Sequence, residues 1–549
     1  MILIEQIHQT ILAQVKKIFP LIPFTAEDIE INLNTDHHKQ EFGDLTTNAA
    51  LVIAQKIKQN PRAIAEQIIA ELKYEYIDWV EIAGPGFINL FLTTQALQVL
   101  ARELYQAPEA FFKLNPEDPK TSYLIEFVSA NPTGPLHVGH GRGGIIGDVL
   151  GTLLKFLGHQ VIKEFYINDA GAQMQKLGQS LKIRCQQQLK QAASIPEDGY
   201  QGEYLVELAQ KCIQENGEKV IEKPESFFTD YAYRHLLENI KKTLTEYGIT
   251  FDVWFSEKTL HDTGAIEKAL AILQKNGYLY EKEGALWFTA TQFGDDKDRV
   301  VRKNTGELTY VAADVAYLLH KLERVHHLIM VLGQDHHSYV VRLKAVLQGL
   351  GKSPDILDVI LYQLVTLKES GQFLRMSKRA GRMVTLEDIT KAVGKDVARF
   401  FYLNRKADAH LDFDIDLALQ HTEENPVYYI QYAYVRTGSI IEKAQTVEIL
   451  QNISAHDCIY LTDNEKLLLK KIVSLKELLK NISHNYQTHL LTYYVIELAH
   501  QFHRYYTESR VIDPAFVEQS RGRLVMITLL RNTFALCFNL LGISCPEKM

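Results

Sequence analysis

Two histidines, His137 and His140, stand three residues apart where an apolar run passes into a glycine-rich one. Imidazoles at that spacing can both donate hydrogen bonds to phosphate oxygens. Gly139, Gly141, Gly143 and Gly144 accompany them; the free amides and dipole of a helix start attract the same anion, and glycines leave that backbone open. A dinucleotide fingerprint would not need the two histidines, so that reading leaves them unexplained. The plain alternative is a glycine-rich turn with two uninvolved histidines. Far downstream, Arg375, Lys378, Arg379 and Arg382 crowd into eight positions beside Gly371 and Gly381. Alone they read as a solvated basic turn. Paired with the histidines they read as the cations of a triphosphate site.

Elements must position these groups. Residues 122–129 (SYLIEFVS) predict a buried strand, stopped by Asn131-Pro132. Residues 143–157 carry Ile146, Val149, Leu150, Leu153, Leu154 and Leu157 at helical spacing, and 161–167 predict a second strand. The histidines thus fall at a strand-to-helix junction of a βαβ unit, where a doubly wound sheet binds nucleotide. Before the basic cluster, 359–367 predict a buried strand; after it, Thr385 can cap a helix with Asp388 in capping-box position.

A chain of 549 residues with 46% hydrophobic and 23% charged side chains is an ordinary globular protein of three or four domains. No apolar run reaches the length expected of a membrane helix, and residues 1–20 form an amphipathic helix without a signal-peptide layout. Cys185, Cys212, Cys458, Cys537 and Cys545 are scattered with no CxxC, against zinc and disulfides and in keeping with a reducing cytoplasm. The net charge of −8 excludes a diffusely basic nucleic-acid binder but not a local patch. From 421 onward basic and acidic residues balance, so the first 420 residues hold the whole excess.

Three domains are expected. Residues 1–115 read as a small α+β domain: helices at 4–19, 45–59 and 61–72, then strands around Trp79 and Phe87 with a Gly84-Pro85-Gly86 turn. Residues 121–420 form the α/β domain, with a helical insertion at about 170–252, after which the sheet pattern returns at 251–255, 308–313 and 327–332. Residues 421–549 are an all-α bundle rich in tyrosine. Most of those rings pack a core, but aromatics also stack unpaired bases.

HVGH and RMSKR resemble the HIGH and KMSKS signatures of class I aminoacyl-tRNA synthetases. The surrounding words (EFVSANPTGPLHVGHGRGGIIGDVL, INDAGAQ, LTYVAADVAY, LGQDHHSY, FLRMSKRAG, ENPVYYIQYAYVR) resemble arginyl-tRNA synthetases in particular, over about 42–549. Arg375 stands for the first Lys of KMSKS and Arg379 for its last Ser; Lys378 is retained. Arginine keeps the charge but is a planar fork, so phosphate geometry differs.

The resemblance implies a Rossmann-type catalytic domain that joins L-arginine to tRNA(Arg) through an adenylate, using ATP with Mg2+ and no zinc, as a cytoplasmic monomer without a membrane partner. It implies His137, His140, Lys378 and Arg375 as catalytic groups, and Gly139, Met376 and Ser377 beside them at ATP. Ser129, Asn131, His140, Tyr310, Asp314 and Gln334 carry over as arginine ligands. A carboxylate suits a planar cation, though by itself Asp314 is equally a cap for a helix at 315–322. Phe87 and Asn89 carry over to the tRNA D-loop, and Tyr505, Tyr506 and Met549 to the anticodon. A small nucleotidylyltransferase also carries HxGH but is generally shorter and lacks the helical domain. A non-catalytic tRNA-binding paralogue predicts erosion of His137, His140 or Lys378, and all three are present.

Overall fold

The computed structural model describes residues 3–26, 28–35, 41–374, 384–458 and 461–549. An amphipathic helix, Leu3–Ile18, buries Leu3, Ile7, Ile11 and Val15. It accompanies an antiparallel sheet of β1 (Ile31–Leu33), β2 (Leu45–Thr47), β3 (Ile77–Ala83) and β4 (Phe87–Leu92), ordered β1-β2-β4-β3. Gly84 and Gly86 turn β3 into β4 with φ of 51° and 141°, and a side chain on Gly86 would meet the Pro61 backbone at 2.9 Å. The helix expected at 45–59 begins only at Ala49, because Leu45–Thr47 hydrogen-bond to β4 as a strand. Thr94–Gln106, capped by Thr93, adds a helix that the sequence reading left out.

The parallel sheet is ordered β12-β11-β5-β6-β7, from β5 (Ser122–Phe127), β6 (Gln160–Ile167), β7 (Val253–Ser256), β11 (His327–Gly333) and β12 (Leu357–Tyr362). Alternation along each strand feeds two layers. Ile125, Phe127, Ile329 and Val331 pack with the helix Val138–Leu157; Leu124, Leu328 and Met330 pack with the helix Tyr310–Leu322. The expected insertion is three helices, Ala172–Gln188, Glu203–Asn216 and Glu225–Glu246, around a core of its own that includes Leu177, Leu181 and Phe228.

Three sequence expectations change here. An antiparallel sheet of β8 (Leu279–Lys282), β9 (Ala285–Phe288) and β10 (Arg299–Arg302) occupies a region with no foreseen strands. Residues 308–313 do not extend the sheet: the helix starts at Tyr310. The strand expected at 359–367 is two, since β12 ends at Tyr362 and β13 (Val365–Glu369) joins β14 (Gln372–Leu374) and β15 (Leu411–Asp414) in a separate sheet. The break falls at Gln363, whose carbonyl accepts from Arg142.

The C-terminal bundle consists of Pro426–Gln445, Asp463–Val473, Leu475–Asn485, His489–Glu508 and Val517–Leu541. By length and composition this last helix could cross a membrane, which corrects the expectation of no such run. Here its apolar residues, Leu524 to Leu541 among them, are mostly buried against the other bundle helices and against Thr94–Gln106. Burial on several sides explains apolarity without a clear stripe. Lys470 pairs with Asp44 at 2.8 Å across the seam to the N-terminal domain.

Candidate active site

The chain leaves β5 in a strained conformation. Val128 and Ser129 have φ of 67° and 40°, a region in which a β-branched residue is an outlier and which clusters at functional sites. The strain is held by hydrogen bonds. Ser129 Oγ donates to Glu126 Oε1 at 2.9 Å and accepts from the Tyr166 amide at 3.2 Å.

His137 then caps the helix Val138–Leu157. Its Nδ1 accepts from the Gly139 amide at 3.1 Å, while His140 Nδ1 accepts from the His137 amide at 3.2 Å. The rings stack with centroids 3.7 Å apart. Burial, with His137 beside it, pushes the His140 imidazole down to about 3, so it is neutral at working pH. Because both Nδ1 atoms are acceptors, each ring carries a proton on Nε2. The cap thereby sets two Nε2–H donors at a helix N-terminus, where phosphate is favoured.

The glycines play a different part from the one expected. Gly141, Gly143 and Gly144 are buried. A Cβ on Gly141 would lie 2.6 Å from Leu386, one on Gly143 2.5 Å from Tyr362, and one on Gly147 2.3 Å from Phe127. They let the helix approach its neighbours rather than leave amides open. Arg142, buried between them, donates to the carbonyls of Gln363, Lys406 and Ala409, and burial brings its guanidinium down to about 10.

The chain just after the basic motif lies against the histidine motif: His137 bridges antiparallel to Thr385, and the Leu386 amide donates to the Leu136 carbonyl at 2.8 Å. Thr385 and Asp388 form the expected capping box. Arg375, Met376, Ser377 and Lys378 lie outside the described residues.

The expected arginine ligands gather from neighbouring elements. Ser129 and Asn131 follow β5, and Gln334 follows β11, its partner strand. Tyr310 and Asp314 share a face of the helix Tyr310–Leu322. Asp314 is therefore inside the helix and is not its cap. Its Oδ1 accepts from Tyr339 Oη at 2.7 Å, and among the described residues no cation lies within ion-pair distance of it. Burial raises the Asp314 carboxyl to about 7, against the Tyr339 hydrogen bond and the charges of Arg342 and Lys321, which lower it. Tyr310 is 66% exposed, its hydroxyl 4.0 Å from where a Cβ on Gly171 would stand.

Beneath these ligands runs a buried ionic layer absent from the sequence expectations. Lys321 pairs with Glu126, while Arg324 and Tyr317 hold Glu164, at 2.6 and 2.7 Å. A signal was visible: Glu126 is a charge inside an apolar strand. Tyr339 carried none beyond lying in the LGQDHHSY word.

The expected tRNA contacts divide. Phe87 is 38% exposed on the outer face of β4, near the stacked pair Trp79–Phe91. Asn89, between them, is only 3% exposed, and Thr46 Oγ1 donates to its amide oxygen at 3.0 Å, leaving little for a nucleotide to touch. Tyr505 is a correction: it is 2% exposed and its hydroxyl donates to Glu465, so it belongs to the bundle core. Tyr506 and Met549 are exposed. The sequence reading missed Arg436, whose guanidinium lies over both Tyr432 and Tyr506, at 4.9 and 4.7 Å.

A parallel sheet with a histidine-capped helix after its central strand, joined to a helical bundle, defines a class I aminoacyl-tRNA synthetase. The family described as "tRNA synthetases class I (R), catalytic domain" matches residues 112–408, "Arginyl tRNA synthetase N terminal domain" matches 5–92 and "DALR anticodon binding domain" matches 430–549. The chain is 42% identical over 531 residues to the arginine–tRNA ligase of Syntrophotalea carbinolica, covering 95% of each. It is 39% identical over 556 residues to that of Anoxybacillus flavithermus, covering 100% of each. Among solved structures, the arginyl-tRNA synthetase of Thermus thermophilus shares the fold with a TM-score of 0.75 at 20% identity, over 99% of this chain and 100% of that one. The chain belongs to the arginine–tRNA ligase family.

Proposed function

We propose that this arginine–tRNA ligase makes its adenylate at the carboxyl ends of β5 and β11. The arginine carboxylate attacks the α-phosphorus of ATP, brought with Mg2+, and pyrophosphate leaves. A 3′-terminal ribose hydroxyl of tRNA(Arg) then attacks the adenylate carbonyl and AMP leaves. No side chain forms a bond; positioning and electrostatic stabilisation carry the rate. His137 and His140 donate through Nε2–H to phosphate oxygens as negative charge shifts onto them, beside Gly139. Lys378, with Arg375 and Arg379, clamps the β and γ phosphates, and Met376 and Ser377 stand beside them at ATP. Ser129, Asn131 and Gln334 hold the amino-acid head, and Tyr310 and Asp314 the guanidinium.

The observation that carries this reading is Asp314, a half-buried carboxylate with no cationic partner among the described residues and an orienting tyrosine. Lysine could not pair with it as a planar fork, the kind of mismatch that discriminates without editing. The outer face of β4 at Phe87 meets the D-loop, and Tyr506, Arg436 and the chain end at Met549 meet the anticodon, dividing the chain at 1–115, 121–420 and 421–549. Five free cysteines suit a reducing cytoplasm, where the enzyme acts as a monomer. ATP–pyrophosphate exchange with each of the twenty amino acids, with and without tRNA, tests this. Exchange with arginine alone is expected; exchange with another amino acid would overturn it.

A further inference from the structure

One short helix, Lys395–Leu403, touches both ends of the molecule's work. At its start Asp396 Oδ2 accepts from the Ser544 amide at 3.0 Å, from the Ser544 hydroxyl, and from Gln431 Nε2 at 3.1 Å. Ser544 follows the last bundle helix and Gln431 lies in the first, so one carboxylate clasps both. One turn on, the buried Arg399 donates through Nε to the Leu541 carbonyl at 2.8 Å, through Nη1 to the Tyr247 carbonyl at 2.8 Å, and pairs through Nη2 with Asp148 at 2.7 Å. Asp148 belongs to the helix that His137 caps, and Lys163 takes its other oxygen at 2.8 Å. Gly542, with φ of 70°, admits this guanidinium: a Cβ there would fall 2.3 Å from Nη2. One turn further, the buried Tyr402 hydroxyl donates to the Val138 carbonyl at 2.9 Å, next to His137, with its ring against Gly141.

We infer that Asp396, Arg399 and Tyr402 are positioning residues that fasten the end of the C-terminal bundle to the N-terminus of the histidine helix, so that the seating of the chain end sets the placement of His137 and His140. Spacings of three residues put the three side chains on one helical face. Polar groups held by several partners at once fix geometry, and a buried fork with three acceptors permits one arrangement of the elements it joins. The inference rests on the proposed role of the two histidines at ATP.

A double-mutant cycle tests it on the full-length chain. Asp396→Ala frees the tail and Tyr402→Phe removes one hydroxyl. These sites share no partner, so unlinked effects would multiply. With saturating tRNA, each change is expected to lower the kcat of arginine-dependent pyrophosphate exchange roughly fivefold, with the KM for arginine unchanged, and the double variant to fall no further. Should Asp396→Ala fail to fold, Ser544→Ala, exposed at the chain end, takes its place in the cycle. Multiplying losses, single variants within about twofold of the parent, or a raised arginine KM with kcat intact would overturn the linkage while the proposed function stands. No arginine-dependent exchange in the parent would overturn both.

Discussion

Arginine binding should release a proton, and its affinity should rise with pH through neutrality. Burial holds the Asp314 carboxyl at about 7 instead of its ordinary 3.8. A guanidinium arriving there pairs only with the ionised form. At about 7, the carboxyl is about nine-tenths ionised at pH 8 and about one-tenth at pH 6, so the dissociation constant for arginine should loosen about tenfold over that interval, or about 1.4 kcal/mol. The linkage has the opposite sign for the empty fold. A folded pKa above the unfolded one means that the folded protein binds more protons between about pH 4 and 7. The stability this group contributes is therefore full at low pH and is lost as pH rises through about 7.

Calorimetric titration of arginine at pH 6, 7 and 8, in buffers of different ionisation enthalpy, reads affinity and proton count together. Release of about half a proton is expected at pH 7. Asp314→Asn should abolish both the release and the slope and weaken arginine by roughly 1.5–3 kcal/mol, the scale of a hydrogen bond to a charged group. It should leave ATP binding nearly unchanged. A dissociation constant flat from pH 6 to 8 with no buffer-dependent heat would refute the pairing. So would an Asn variant whose only change is its melting temperature.

His140→Ala and Lys378→Ala should each slow charging by roughly a hundredfold or more, the cost of losing one transition-state donor, with unchanged circular dichroism; near-normal steady-state charging would remove them from the site. Glu126→Gln keeps the Ser129 hydrogen bond but strands the buried Lys321 ammonium, and urea denaturation should show a loss of roughly 3–5 kcal/mol. Gly141→Ala drives a methyl to within 2.6 Å of Leu386; it should cost roughly 1–3 kcal/mol by thermal unfolding and lower kcat through the displaced histidines. Removal of the last four residues through Met549 should weaken tRNA(Arg) in a binding assay at fixed salt while ATP binding holds, and unaltered tRNA affinity would make the tail packing alone.

What the sequence disclosed and what it withheld follow one physical division. Periodicity is local, so β5, the helix after it, β6 and the three insertion helices could be read directly, as could the Thr385–Asp388 box, whose partners are three residues apart. Asp314 also yielded in part, since Tyr310 at four residues' distance places both on one face once the segment is helical. Short strands were lost because pairing defines them: Leu45–Thr47 reads as the first turn of a helix until β4 takes its amides. The same holds for the break at Gln363, fixed by Arg142 from 221 residues away. Glu126 and Lys321 meet across 195 residues and Arg399 and Asp148 across 251, so the sequence shows Glu126 as a charge in an apolar strand but leaves no local trace of either pairing. The glycines after His140 show the consequence most plainly. Their type shows only that side chains are missing; the fold reveals that Leu386, Tyr362 and Phe127 fill that space, and so that these residues serve the approach of elements rather than the approach of phosphate.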